Sequence, residues 1–284
     1  MMYSTHNRDM DAKTFMIHRI KRIVPLYWFF TSALLLIAFV LPNVVRTLEI
    51  ETSHIISSYL FIAHLSPAVT NQFWPVLIPG WTLNYEMFFY VLFALSLFTR
   101  PQYRLVFLSI VLTIPVVFHS QFNSQSILSF YTNPIILEFL FGIYLAKLYL
   151  NGSLLKNTPL GLSLICLAAF YYVISHDLQL DRVFSSGIAA LMVVTGSLML
   201  QLKIKNGFNH KFLHLLGDAS YSIYLSHIFT LGIYRYVLNK LSIEPSFLGG
   251  ILIIFMALVF ASIIGILAYY LVERPILEKL KKPK

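Results

Sequence analysis

Eight stretches of this sequence, at 23–41, 78–98, 105–122, 131–150, 159–175, 184–202, 215–238 and 248–272, are apolar over about the 20 residues that carry a helix across a bilayer. In hydrocarbon every backbone N–H and C=O must find a partner inside the protein, and a single segment achieves that only as a helix. The chain is therefore expected to be all-α, a polytopic helical membrane bundle of about eight transmembrane helices. Composition agrees: 12% of residues are charged, against about 25% in soluble domains. The mean hydropathy is +0.74. No repeat with a solenoid period and no low-complexity tract interrupts the pattern, so residues 1–284 read as one membrane domain.

The formal charge of +9 comes from 21 Lys and Arg against 12 Asp and Glu. Such an excess can mark nucleic-acid binding, but cytoplasmic loops of membrane proteins collect basic residues whatever the protein does. With the N-terminus inside, 1–22, 99–104, 203–214 and 273–284, with Lys147 and Lys156, hold 17 of the 21 basic residues, and only Arg46, Arg182 and Lys240 lie outside. Arg235 stands near the outer end of its helix, within reach of headgroups. Both termini are thus expected in the cytoplasm, and no nucleic-acid partner is implied. The start, MMYSTHNRDMDAKTF, is too polar for a secretory signal and reads as a cytoplasmic loop. A single cysteine, Cys166, excludes a disulfide framework and a Cys-based metal site, and no metal is expected.

The external loop, 42–77, is too long to be bare. Ile55, Ile56, Tyr59, Leu60 and Ala63 form a helical apolar stripe, with His54, Ser57, Ser58 and His64 opposite and Phe61 interrupting the polar face. This predicts an interfacial helix on the outer leaflet.

Candidate chemistry lies where polar groups enter apolar sequence. Arg19 and Arg22, in the run His18, Arg19, Lys21 and Arg22, are three residues apart and share a helix face. They can grip phosphates as a cationic fork or simply anchor the chain at the inner surface. Asn84 and Glu86 stand inside PGWTLNYEMFFY, where an ionisable group is costly and implies a partner or a cavity. Glu138 repeats the pattern. In LGDASYSIYLSHIF, Ser220, Tyr224 and His227 share one face, with Asp218 near the cytoplasmic end. His227 can be a base or a packing histidine. A hydrolase triad is disfavoured, because no GxSxG elbow is present and Ser220 and His227 are about 10 Å apart along the axis. Glu273-Arg274-Pro275 ends the last span, where a helix stop with a local ion pair is the simplest reading.

Taken in order, RIKRIVPLYW (19–28), PGWTLNYEMFFY (79–90), LEFLFGIYLA (137–146), LGDASYSIYLSH (216–227) and VERP (272–275) resemble the membrane-bound acyltransferase 3 family. The branch most similar O-acetylates exopolysaccharides in bacterial inner membranes. The resemblance spans essentially the whole chain. It implies an acyltransferase of ten helices that takes an acyl group, usually acetyl, from cytoplasmic acyl-CoA and delivers it to a saccharide hydroxyl. Acyl-CoA is a donor substrate and no bound cofactor is implied. Arg19 and Arg22 then match the Arg pair of the donor site, Trp81 and Glu86 the fourth-helix motif with Glu86 at its functional acidic position, and Tyr221, Tyr224 and His227 the SYSIYLSH segment. The residues and the resemblance together offer Glu86 and His227 as catalytic residues and Arg19, Arg22, Trp81, Asn84, Tyr221 and Tyr224 as substrate-binding ones. Family members begin with two further helices, the first carrying an Arg and the histidine proposed as catalytic. Eight spans plus two makes ten, so the chain resembles a member lacking those helices and is expected to be inactive without them.

A different class also accommodates intramembrane carboxylates: a transporter or flippase component for a saccharide or lipid-linked sugar. The internal repeats and matched broken helices of common transporters are not visible in the sequence.

Overall fold

The computed structural model describes residues 11–41, 49–154, 157–204, 211–240 and 247–281, among which every regular element is helical. The readings made on residues 1–10, Arg46 and Lys156 lie outside this set. The helices are α1 (Ala12–Val40), α2 (Thr52–Tyr59), α3 (Gly80–Ser96), α4 (Pro101–Val117), α5 (Ile127–Tyr131), α6 (Leu137–Leu150), α7 (Thr158–Asp177), α8 (Ile188–Ile204), α9 (Lys211–Asp218), α10 (Ser220–Lys240), α11 (Phe247–Ala268) and α12 (Arg274–Lys281). Six segments, Ala12–Val40, Pro101–Gln121, Ile127–Leu150, Thr158–Asp177, Val183–Leu200 and Gly249–Leu280, are helices long and apolar enough to cross a membrane. The chain is a polytopic helical membrane protein. The other two expected spans are helical but fall short of that standard: α3 has 17 residues, and 215–238 is divided at Ala219 into α9 and the polar α10. Gly217 and Asp218, both poor helix formers, precede the break. Two π turns, Val183–Gly187 and Tyr269–Glu273, shift the register ahead of α8 and α12.

The chain divides into two compact units, one of Met1–Met16 with Tyr85–Asn209 and one of Ile17–Asn84 with His210–Lys284. In the first, an aromatic core forms around α3 and α6. Phe89 stacks on Phe139 at 4.4 Å and Tyr85 on Phe130 at 4.0 Å, and Tyr85 Oη donates to the Phe130 carbonyl at 2.9 Å. Phe15, at the start of α1, packs 4.9 Å from Phe93. Asn133 caps the turn at Pro134, accepting from the Ile135 N–H, and so sets the entry to α6. The α7–α8 pair meets at Gly161 and Gly196, where a Cβ on Gly161 would stand 2.9 Å from the Gly196 carbonyl oxygen. Small residues let backbones approach closely where the surrounding lipid is as apolar as any side chain.

In the second unit α1 packs with the 52–79 loop, the start of α3, α10 and the end of α12. Large apolar side chains such as Phe39 face outward, as a lipid-contacting surface requires. The α2 helix forms where the stripe predicts it, and its polar side faces the protein. His54 and Ser58 are buried, whereas Ile56 and Leu60 are more than half exposed. The reason is a hydrogen-bonded clasp. Ser58 Oγ accepts from the Val76 N–H at 2.9 Å and donates to the His54 carbonyl at 2.7 Å. Across α1, Trp28 Nε1 donates to the Tyr59 carbonyl at 2.9 Å, and the Ser32 and Tyr59 hydroxyls bond at 2.6 Å. Polar groups turned inward and apolar ones outward suit a helix whose outer side meets lipid. Phe61, the residue that spoiled the polar face, takes φ 57 and places its ring 4.7 Å from that of Tyr27.

Tyr27 is fully buried, and its ring lies over Gly80. A Cβ at position 80 would stand 2.6–2.9 Å from the ring's outer atoms. With Phe61 on its other flank, the ring has little room to yield. Gly80→Ala is therefore expected to destabilise the protein by about 1–3 kcal/mol, the scale of overpacking in a filled core. Thermal unfolding in detergent reads this directly, and an unchanged midpoint would mean that the ring moves aside freely.

Candidate active site

Helix α1 begins at Ala12, so the positively charged run stands on a formed helical stem. Arg22 is exposed and Arg19 half-buried. The end of α12 lies against this stem, with Lys21 Nζ donating to the Leu280 carbonyl at 3.2 Å. The π turn at Tyr269–Glu273 rotates Glu273 inward, where it is 4% exposed. There the fully buried Ser222 donates to Glu273 Oε2 at 2.6 Å, and the Arg22 charge acts on the carboxylate. The expected ion pair between neighbours in Glu273-Arg274-Pro275 is thus corrected: Arg274 Nε instead bonds Glu278 at 2.8 Å, one helical turn on. Glu273 and Ser222 are residues that sequence reasoning missed as partners.

The inward face of α10 differs from the one expected. Ser220 is exposed, and Tyr224 and His227 are half-buried, whereas Ser222, Leu225, Ser226 and Thr230 form the buried stripe. Ser222, Ser226 and Thr230 recur every four residues, and that small-residue spacing is the signal that could have found the face. Ser226 Oγ, 2% exposed, and Asn84 Oδ1, 1% exposed, have no hydrogen-bond partner among the described residues. Leaving such an atom buried costs about 1–3 kcal/mol, and sites that receive polar ligands are where that cost is found.

Tyr221, Tyr224, His227 and Glu86 each engage a hydrogen-bond partner. Tyr221 Oη donates to the Ile23 carbonyl at 2.9 Å, tying α10 to α1 beside Pro25. Tyr224 Oη donates to the Pro79 carbonyl at 2.8 Å and lies 2.5 Å from Thr82 Oγ1. It thereby fixes the turn that presents Trp81, which is half-buried at the start of α3. His227 Nδ1 lies 2.5 Å from the Tyr224 carbonyl. A carbonyl only accepts, so Nδ1 is the donor, and the neutral tautomer compatible with that bond has its lone pair on Nε2. In the first unit, Glu86 is half-buried and accepts a hydrogen bond from Tyr90 Oη, one turn along α3.

On the loop, His64 Nδ1 bonds the Ile62 carbonyl at 2.8 Å, so His64 Nε2 accepts from His54 Nδ1 at 2.7 Å. Burial, and then the adjacent His64, hold His54 below the usual imidazole range, against a smaller opposing effect of Glu51. The folded protein thus keeps His54 neutral where the unfolded chain would take up a proton. Stability is full above about pH 6.5 and is lost as the pH falls from there through the lower folded value. The unfolding midpoint should drop further between about pH 8 and pH 5 in the wild type than in His54→Asn, and equal drops would clear His54 of the effect.

The sequence model of the acyltransferase domain family matches residues 1–270. The chain belongs to the acyltransferase 3 family. Among curated proteins, this acyltransferase is similar to the exopolysaccharide production protein ExoZ of Rhizobium meliloti (strain 1021), with 35% identity over 290 residues, covering 98% of this chain and 86% of the relative. No solved structure matches. In family terms, Gly80 of the motif beginning PGW is required by the Tyr27 ring of the motif ending PLYW, so one contact joins two of the motifs.

Proposed function

We propose that this acyltransferase moves an acetyl group from cytoplasmic acetyl-CoA to a hydroxyl of an exported polysaccharide, in a bacterial inner membrane with both termini cytoplasmic. The observation that carries the reading is the cationic stem: Arg19 and Arg22 on one face of α1, with Arg22 steadied by the buried Glu273–Ser222 pair. Planar guanidinium groups at that spacing suit the phosphates of CoA. The name of the curated relative supports a polysaccharide acceptor.

In the reaction the acceptor oxygen attacks the thioester carbonyl, the C–S bond breaks, and CoA leaves as the thiol. The hydroxyl proton passes to a base and on to the sulfur. An imidazole with its lone pair fixed on Nε2 suits that base, and His227 is assigned the role. Glu86, whose carboxylate Tyr90 Oη engages, is the second residue proposed to titrate in the reaction. Asn84 and Ser226, buried without partners, are assigned to bind polar atoms of the reacting groups.

Two measurements test this reading. Membranes containing the chain fused to the first two helices of a related family member should move radiolabelled acetyl from acetyl-CoA into polysaccharide, and membranes of that fusion that leave the label on CoA would refute the reaction. In a Cys166→Ser background, an impermeant thiol reagent applied from outside should modify Ser66→Cys and spare Ser153→Cys. The reverse pattern would refute the topology.

A further inference from the structure

Glu138 and Arg182 have no part in the reaction proposed above, yet the structure builds carefully around them. Arg182 Nε stands 3.9 Å from Glu138 Oε1, and the Arg182 charge also acts on Tyr85. The π turn Val183–Gly187 follows directly and packs Gly187 on Glu138, where a Cβ would lie 3.3 Å from Glu138 Cγ. The same turn buries Ser185 at the edge of a hollow of about 540 Å³, lined by His176, Asp177, Gln179, Leu180 and Ser185. The ion pair thus braces the turn that shapes the hollow.

The lining selects a class of ligand. Asp177, Gln179 and His176 are planar groups, each with two hydrogen-bonding atoms, and the Tyr172 ring stands 6.2 Å from that of His176. A carboxylate accepts from two neighbouring hydroxyls, and an amide both donates and accepts. The lining holds one carboxylate and no Lys or Arg, which disfavours phosphates and other anions, and its polar groups disfavour an acyl tail. The volume falls within the range of small-molecule sites. Gln179 reaches the hollow from φ 52, in a turn closed by its N–H to the His176 carbonyl at 3.0 Å and by the Leu180 N–H to the Ser175 carbonyl at 3.1 Å.

We propose that this hollow is a saccharide subsite, which holds a sugar unit of the polymeric acceptor other than the unit being acylated. It rests on the proposed function for its acceptor class and for the external position of the α7–α8 turn. A polymer reacts at one hydroxyl while its remaining units supply binding energy, so an enzyme acting on one gains from grip away from the chemistry.

The test uses the full chain in detergent, without acyl-CoA. The probe is short oligosaccharide released from the host's exopolysaccharide and carrying a fluorescent tag, with binding followed by anisotropy. The double variant Asp177→Asn with Gln179→Gly should bind about tenfold more weakly, or about 1.4 kcal/mol. Glycine adopts the φ of position 179 without strain, so the turn is kept. Acetyl-CoA affinity should not change. Equal affinity in wild type and variant would overturn the subsite, as would a wild type that does not bind the probe. Binding of this kind, with no acetyl transfer by the chain fused to a relative's first two helices, would refute the proposed reaction and leave the subsite standing.

Discussion

Glu86→Gln is expected to lower acetyl transfer by roughly 10²–10⁴-fold, the usual contribution of a positioned acid or base. Glutamine keeps the shape and the acceptor oxygen that Tyr90 engages, so the packing of α3 is preserved. What is lost is the group that takes up and releases a proton. A charge-bearing residue within an apolar helix costs a few kcal/mol on insertion, and a reaction is a use that sets that cost aside. Transfer of label from acetyl-CoA in membranes with matched expression measures the effect. Wild-type transfer by the Gln variant would leave Glu86 as a packing residue, and the search for a titrating group would then turn to His227.

Removing both arginines of the stem, as Arg19→Ala with Arg22→Ala, is expected to weaken CoA binding by about 3 kcal/mol or more, since each charged hydrogen bond contributes about 1.5–3 kcal/mol. That is a loss of at least 100-fold in affinity, on the order of 1.4 kcal/mol per factor of ten. The two sites are not equivalent. Arg22 also acts on Glu273, so its loss leaves a buried carboxylate without that charge, and the double variant should melt earlier than Arg19→Ala alone. Arg19→Ala is therefore the cleaner probe of the donor. CoA titration in detergent decides the matter, and the wild-type affinity should also fall with added salt. Unchanged CoA affinity in a folded double variant would return the pair to an anchoring role at the membrane surface.

The sequence by itself determined the class of fold and the positions where chemistry enters it. Long apolar runs specify helices because hydrocarbon leaves a backbone no other partner, and a carboxylate such as Glu86 stands out against them by charge alone. The stem was also legible, since Arg19 and Arg22 needed only the helical repeat to share a face. The faces of the helices were not legible. In a soluble helix the apolar side marks the core, but in a bilayer the outside is as apolar as the inside, so hydropathy finds the span and not its orientation. Hence Ser220 was read in place of Ser222 and Ser226, and the hydrogen-bonded clasp on the polar side of α2 went unread. Tertiary structure decided those cases through hydrogen bonds that cross long stretches of sequence, Ser58 to Val76 and Ser222 to Glu273. The two π turns lay equally beyond the sequence. Each adds a residue to one helical turn, and that shift of register brings Glu273 to Ser222 and Gly187 to Glu138, a change in side-chain direction that a count of apolar residues does not record.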